Sequence, residues 1–586
     1  RPSAPPPTAT PTPTAAIHEL AITGLGSTAG DQAGTITFHL QAQTPPDRYI
    51  TEVLLWYDTE TGRRLQRTTG PLASTLSLDY ILDAAREGLT TTHTSQLDYW
   101  WLVRDSAGET VRAGDTVPLG PSLQVLVATP TPEAPPLDFT WAISESRHYR
   151  FHYVPDSAAE RDRFQIGALA EQALARTTAI LDLEFEGQMD IYLVPRVFWQ
   201  GGAAYGDKVQ LISYLDRNYT AVETWSYFTH EGTHALAQDL VQPKEDGGGP
   251  DGVLVEGLAV WATSGHYRTE PVDEWTAVLA ASDDYIPLAD LRAGPFYDFQ
   301  HEISYLEGAS FVKFLIERYG LDRLKELYGR ATNQDGSDEA LVQELFGQSY
   351  AKLESAWLDY LAAHTPSQEQ AQMVRLQIRS FDLMRRYETE MDPDARILPG
   401  DPPPDWDTET LTAFLHRAGA PVNIVLETAL IAAQERMLGG DLADATALLD
   451  DVEAALDAGG SLERPSLRAR KEIVDLLAAQ DRAILTAQPG PYRATLHPSF
   501  TARQDLSDIL LRPWLTWQQE VIRLDLTADG LSARGVVALH ASLADGDFPQ
   551  AGELFAVAFR KQDGQWLMAG RQPLARTPTM PPALGD

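Results

Sequence analysis

Residues 228–238 read FTHEGTHALAQ, which sets His230, Glu231 and His234 in the spacing H-E-x-x-H. Residues four apart on an α-helix share one face, so His230 and His234 can offer two imidazole nitrogens to one ion about 2 Å away. Glu231, one step round the helix, then sits beside the ion's free position. From there its carboxylate can take a proton from a water that zinc brings to a pKa of about 7. Two imidazoles leave such a site incomplete. The chain offers a third donor at Glu256, 256 − 234 = 22 residues beyond His234, on a second apolar helix, VLVEGLAVWATSG. The intervening loop VQPKEDGGGPDG (Val241–Gly252) carries the glycines and Pro250 that let the chain reverse. Two histidines and one glutamate with one open vertex are the ligand set of a hydrolytic zinc site rather than a structural one.

HEGTH followed by EGLAVW resembles the gluzincins, the MA-clan zinc metallopeptidases of the thermolysin and aminopeptidase type, whose second helix carries its glutamate in an E-G-x-A pattern. SYLEGASFVKFLIERYG (Ser304–Gly320) resembles that family's Y-x-x-G-A segment and puts Tyr305 where the family has an oxyanion-stabilising tyrosine. A phenol donor meets the charge that develops on a tetrahedral intermediate. The resemblance implies one Zn2+ on His230, His234 and Glu256, Glu231 and Tyr305 as catalytic residues, and a peptide or protein substrate. Two departures favour cleavage within chains over removal of an amino-terminal residue. Val255 stands where family aminopeptidases have Asn, and GGAAYGDKVQLISY (Gly201–Tyr214) lacks the glutamate that holds a free amine. The edge of that strand can still pair with an extended peptide. His301 reads as a solvent-exposed histidine, and His266 as a helix C-terminal residue complementing the dipole. Two rival readings use the same residues: a catalytically inactive zinc-binding surface or adhesion protein, and a metallohydrolase of another amide or ester.

The elements that must position these groups form a multidomain chain. Residues 1–16, RPSAPPPTATPTPTAA, are a Pro/Thr-rich tether. Residues 17–127 alternate apolar and polar positions in short runs and predict a β-sandwich, with Tyr99, Trp100 and Trp101 as core packing. A Pro-rich linker, 128–137, precedes an α+β zincin-like catalytic domain over 138–369. A helical region follows over 370–490, in which Gly439-Gly440 joins two antiparallel helices. Residues 491–586 form a small α+β domain that resembles the NTF2-like fold, with a hairpin turn at Asp563-Gly564.

Bulk composition narrows the function classes. At 586 residues the chain exceeds what one core usually fills, and 43% hydrophobic with 22% charged residues is ordinary for a soluble protein. A net charge of −37 excludes nucleic acid as the main partner, because phosphates are repelled. With no cysteine, any metal must use His and carboxylate ligands. No apolar run reaches the length needed to cross a bilayer. The tether and the lack of cysteine fit an exported bacterial protein, extracellular or held at the cell surface. The start at Arg1 rather than Met leaves room for a signal or lipid anchor ahead of it.

Overall fold

The computed structural model describes residues 20–29, 35–46, 48–59, 62–69, 73–83, 96–107, 109–118, 141–155, 157–194, 201–205, 208–217, 223–241, 249–282, 284–293, 296–332, 337–392, 420–500, 509, 514–543 and 552–574. The tether, the linker and most of the Val241–Gly252 loop lie outside them. The chain divides into two compact units, Arg1–Pro136 and Leu137–Asp586.

In the first unit, period-two alternation yields seven strands: β1 (Ala21–Ala29), β2 (Thr35–Gln43), β3 (Ile50–Thr59), β4 (Gly62–Thr69), β5 (Thr75–Asp83), β6 (Gln96–Asp105) and β7 (Thr110–Pro118). They pair antiparallel into two sheets, ordered β1-β2-β5 and β4-β3-β6-β7. Every second residue turns inward, and one core joins Phe38 and Leu40 of the first sheet to Leu55, Tyr57, Tyr99 and Trp101 of the second. Phe38 lies 4.6 Å from Tyr99, ring centre to ring centre. The aromatic run at 99–101 therefore splits by face. Tyr99 and Trp101 are buried, while Trp100 sits half-exposed under the Arg112 guanidinium at 4.8 Å.

The second unit opens with β8 (Ala142–Glu145) and β9 (Tyr149–Tyr153), helix α1 (Ala158–Leu181), and strands β10 (Met189–Val194), β11 (Gly202–Tyr205) and β12 (Val209–Ser213). The sheet order is β11-β12-β10-β9-β8. Its three central strands are parallel, and β11 and β8 run antiparallel at the edges. Helices then follow without further strands: α2 (Thr224–Ala237), α3 (Gly252–Thr263), α4 (Val272–Ala280), α5 (Leu288–Ala293), α6 (His301–Tyr319), α7 (Leu321–Arg330), α8 (Ser337–Phe346) and α9 (Tyr350–Leu361).

The chain continues through α10 (Gln368–Met391), α11 (Pro421–Leu438), α12 (Leu442–Asp457), α13 (Pro465–Leu485) and α14 (Pro489–Ala494). Ser367 and Gln370 close a capping box at the start of α10, and Gly439-Gly440 separates α11 from α12. An antiparallel meander of β13 (Trp514–Leu526), β14 (Ser532–Leu543), β15 (Glu553–Gln562) and β16 (Gln565–Pro573) completes the described chain. The expected divisions at 369/370 and 490/491 fall inside this unit. One hydrophobic core runs from Tyr149 on β9 through Phe381 and Leu430 to Met568 on β16. Charge follows the same path. The buried Arg217 guanidinium donates to Glu427 of α11 at 2.5 Å and to the Val521 carbonyl of β13 at 3.2 Å, while Tyr387 of α10 donates to Glu427 at 2.9 Å. Among the described residues no helix is long and apolar enough to cross a membrane.

Candidate metal centre and its surroundings

Helix α2 buries Tyr227, Phe228 and Leu236 in the core, which leaves His230 and His234 on the flank facing α3. Its first turn is tied to the loop after α3: Glu223 N donates to the Tyr267 carbonyl at 2.9 Å, and Ser226 Oγ lies 2.8 Å from the same oxygen. Helix α3 starts at Asp251, whose buried carboxylate accepts from Leu254 N at 3.1 Å and from Arg292 Nε at 2.7 Å. Against α3 lies α6, and the two cross at glycines. A Cβ on Gly257 would stand 2.4 Å from the Gly308 carbonyl oxygen. That contact gives the glycines of EGLA and YLEGA a physical reason. Only backbone fits between the helix that carries Glu256 and the helix that carries Tyr305.

The three candidate ligands converge. Glu256 Oε2 is 3.1 Å from His230 Nε2 and 3.3 Å from His234 Nε2, and the two Nε2 atoms are 3.1 Å apart. Donors on one tetrahedral zinc with bonds of about 2.0–2.1 Å are separated by about 3.3 Å, so this triangle fits a single ion. Among the described residues this is the His/Cys/Asp/Glu group able to hold a metal. Its electrostatics suit a cation. Burial alone would lower the His234 pKa, but the Glu256 carboxylate overrides it and pushes the value up to about 9. Burial opposes the charge on Glu256 in turn, and the two imidazoles beside it still hold it well below the usual carboxylate range.

Glu231 lies next to the triangle, buried between it and the edge strand β11. A Cβ on Gly202 would come 2.7 Å from its Oε1, so β11 passes over this carboxylate only because residue 202 is glycine. Burial pushes the Glu231 pKa up, and Glu256 adds to the rise against the opposing His230 and His234. A carboxylate with a raised pKa near two imidazoles is a good proton carrier. Tyr305 stacks parallel to His230 at 6.2 Å between ring centres, and burial keeps its phenol protonated far above neutral pH.

Two histidines stand elsewhere than the sequence implied. Helix α3 ends at Thr263 with Ser264 in the left-handed cap, so His266 is not a helix-terminal residue but part of a tight loop closed by Glu270, which accepts from its backbone N at 2.7 Å. The His266 ring stacks between Tyr267 at 3.9 Å and Tyr305 at 4.3 Å. His301 is half-buried rather than solvent-exposed, edge-on to Tyr305 at 3.9 Å and to His266 at 5.0 Å. Burial lowers both pKa values, with the Arg385 charge helping to bring His301 to about 4, so both rings are neutral near pH 7.

Behind them, Arg385 of α10 grips Glu302 with both guanidinium nitrogens. One of these contacts is 2.7 Å, and Tyr267 donates to the same carboxylate at 2.7 Å. The site is thus braced by a helix beyond residue 369. One further residue reaches the triangle: Tyr297, in the short turn Phe296–Asp298, donates its hydroxyl to Glu256 Oε1 at 2.7 Å. Its bond spans 41 residues and has no spacing to read in the sequence.

No family model matches the chain, and no curated protein matches it. Among solved structures, an aminopeptidase N family protein from Idiomarina loihiensis aligns at 9% identity over 57% of this chain and 70% of that one, with a TM-score of 0.22.

Proposed function

We propose that this chain hydrolyses peptide bonds as a zinc peptidase of the gluzincin type, with one ion on His230, His234 and Glu256. The observation that carries the proposal is the triangle of donor atoms, 3.1, 3.1 and 3.3 Å on a side, with a buried carboxylate of raised pKa beside it. A zinc ion there supplies Lewis acidity, bringing water's pKa towards 7 and drawing electrons from a carbonyl oxygen. The chain does the rest. Glu231 takes the proton of the attacking water and passes it to the departing amine. Tyr305 donates its phenolic hydrogen bond to the oxyanion as charge develops there. The neutral rings of His266 and His301 hold the Tyr305 ring from two sides.

The substrate is an extended segment of a peptide or protein lying along β11. That strand, Gly202–Tyr205, has no carboxylate to hold a free amine, which supports cleavage within chains. The acidic chain and its Pro/Thr-rich tether support action outside the cell or at its surface.

Glu231→Gln tests the assignment. The variant is expected to bind zinc as the parent does and to cleave a casein or peptide-library substrate about 10²–10⁴-fold more slowly. Equal turnover would remove Glu231 from the reaction. Stoichiometric zinc with no cleavage by the parent would make the centre a zinc-binding site without this activity.

A further inference from the structure

We infer that Tyr297 is a positioning residue of the metal centre: its hydroxyl occupies one oxygen of Glu256, so that the carboxylate meets the ion through the other alone. Tyr297 has this role only if the three residues hold zinc as proposed above. The two oxygens of Glu256 have divided their partners. Oε2 faces both imidazoles, at 3.1 and 3.3 Å, and Oε1 accepts from Tyr297 at 2.7 Å. A phenol bonded to a carboxylate makes a charge-assisted hydrogen bond, stronger than one between neutral groups. For Oε1 to join the ion as well, that bond would have to break. The tyrosine therefore keeps Glu256 to one vertex and leaves another for reactants.

The placement of Tyr297 is built rather than incidental. Its neighbour Phe296 is buried, and its ring packs so closely on α3 that a Cβ on Gly252 would lie 2.5 Å from it. Phe296 also stands 5.4 Å from the Tyr305 ring. The turn is thus pinned to the helix that carries Glu256 and to the helix that carries Tyr305. Tyr297 itself is 61% exposed, yet its polar tip points at the carboxylate and not at water. An exposed tyrosine gains nothing in packing from that orientation, so the hydrogen bond is what sets it. Outer contacts of this kind orient metal ligands and fix how they bind.

The experiment compares full-length parent with Tyr297→Phe and Tyr297→Ala. Zinc affinity is measured by competition with a chromophoric chelator, and the visible spectrum is recorded after cobalt replaces zinc. Loss of the hydroxyl is expected to weaken zinc binding about 10- to 100-fold. The cobalt bands should weaken as Glu256 becomes free to bind through both oxygens and the coordination number rises. Thermal unfolding of the metal-free proteins should coincide, since no buried group is lost. Parent-like affinity and spectrum in both variants would overturn the role of Tyr297 while leaving the zinc site standing. A parent that binds no zinc would overturn the site and, with it, this role.

Discussion

Gly257→Ala is the sharpest perturbation of the helix crossing that brings Glu256 and Tyr305 together. The new Cβ would lie 2.4 Å from the Gly308 carbonyl oxygen, 2.6 Å from its carbonyl carbon and 2.9 Å from Val312 Cγ2. Ordinary contact begins about 1 Å farther out, so α3 and α6 must separate by roughly that much. Tyr305 lies one turn before Gly308 and moves with it. A displacement of about 1 Å in a reacting constellation costs about 10²-fold in turnover. Overpacking costs about 1–3 kcal/mol and the helix gains about 1 kcal/mol from alanine, so the net loss of stability is about 0–2 kcal/mol. Gly232→Ala is the internal control. That glycine, between the two histidines, has nothing within 4 Å of a new Cβ, so alanine there should stabilise by about 1 kcal/mol. Peptide cleavage and denaturant unfolding of both variants supply the numbers. Parent-like turnover in Gly257→Ala would refute the claim that the glycine contact sets the position of Tyr305.

Removing one partner of the Arg385–Glu302 pair should be costly. Glu302→Gln leaves a buried guanidinium without its carboxylate, and about 3–5 kcal/mol should be lost at pH 7 in denaturant unfolding. Burial alone would raise the Glu302 pKa, but Arg385 holds it below the unfolded value of about 4.3. Its contribution is therefore present above that value and lost as pH falls through the folded one, so the gap between parent and variant should close in acid; a gap independent of pH would refute it. Glu307 has the opposite sign. It is fully buried, its Oε1 accepts from Ile286 N at 3.1 Å, its Oε2 has no hydrogen-bond partner among the described residues, and burial raises its pKa well above normal. Stability from its protonated form is present below the unfolded pKa and lost as pH rises through the folded one. Glu307→Gln should therefore unfold at a higher temperature than the parent at pH 9 and at nearly the same temperature at pH 5.

How much of this was legible in the sequence follows from the range of each interaction. His230 and His234 share a helical turn and Glu256 lies on the next helix, so their approach could be read from periodicity and one loop. The alternation in 17–127 likewise announced strands and the split of Tyr99, Trp100 and Trp101 by face. Tyr297, His266 and His301 were not legible because each acts across a loop. A single serine in the left-handed cap, Ser264, ends α3 early and turns His266 under Tyr305. The shared core of Leu137–Asp586 was hidden for a related reason. The apolar faces of α10 and α11 announce burial, but nothing in a periodicity names the partner they are buried against.

The Arg217 contact has a practical consequence for anyone seeking a smaller protein. Its guanidinium leaves the sheet that ends in β11 and finds its acceptors on α11 and β13, 210 and 304 residues downstream. A fragment trimmed at residue 369 would retain the cation and discard both acceptors, along with Arg385, which clasps the helix of Tyr305. The scissors belong near residue 136, upstream of the metal centre. Everything from there to β16 has to be expressed together.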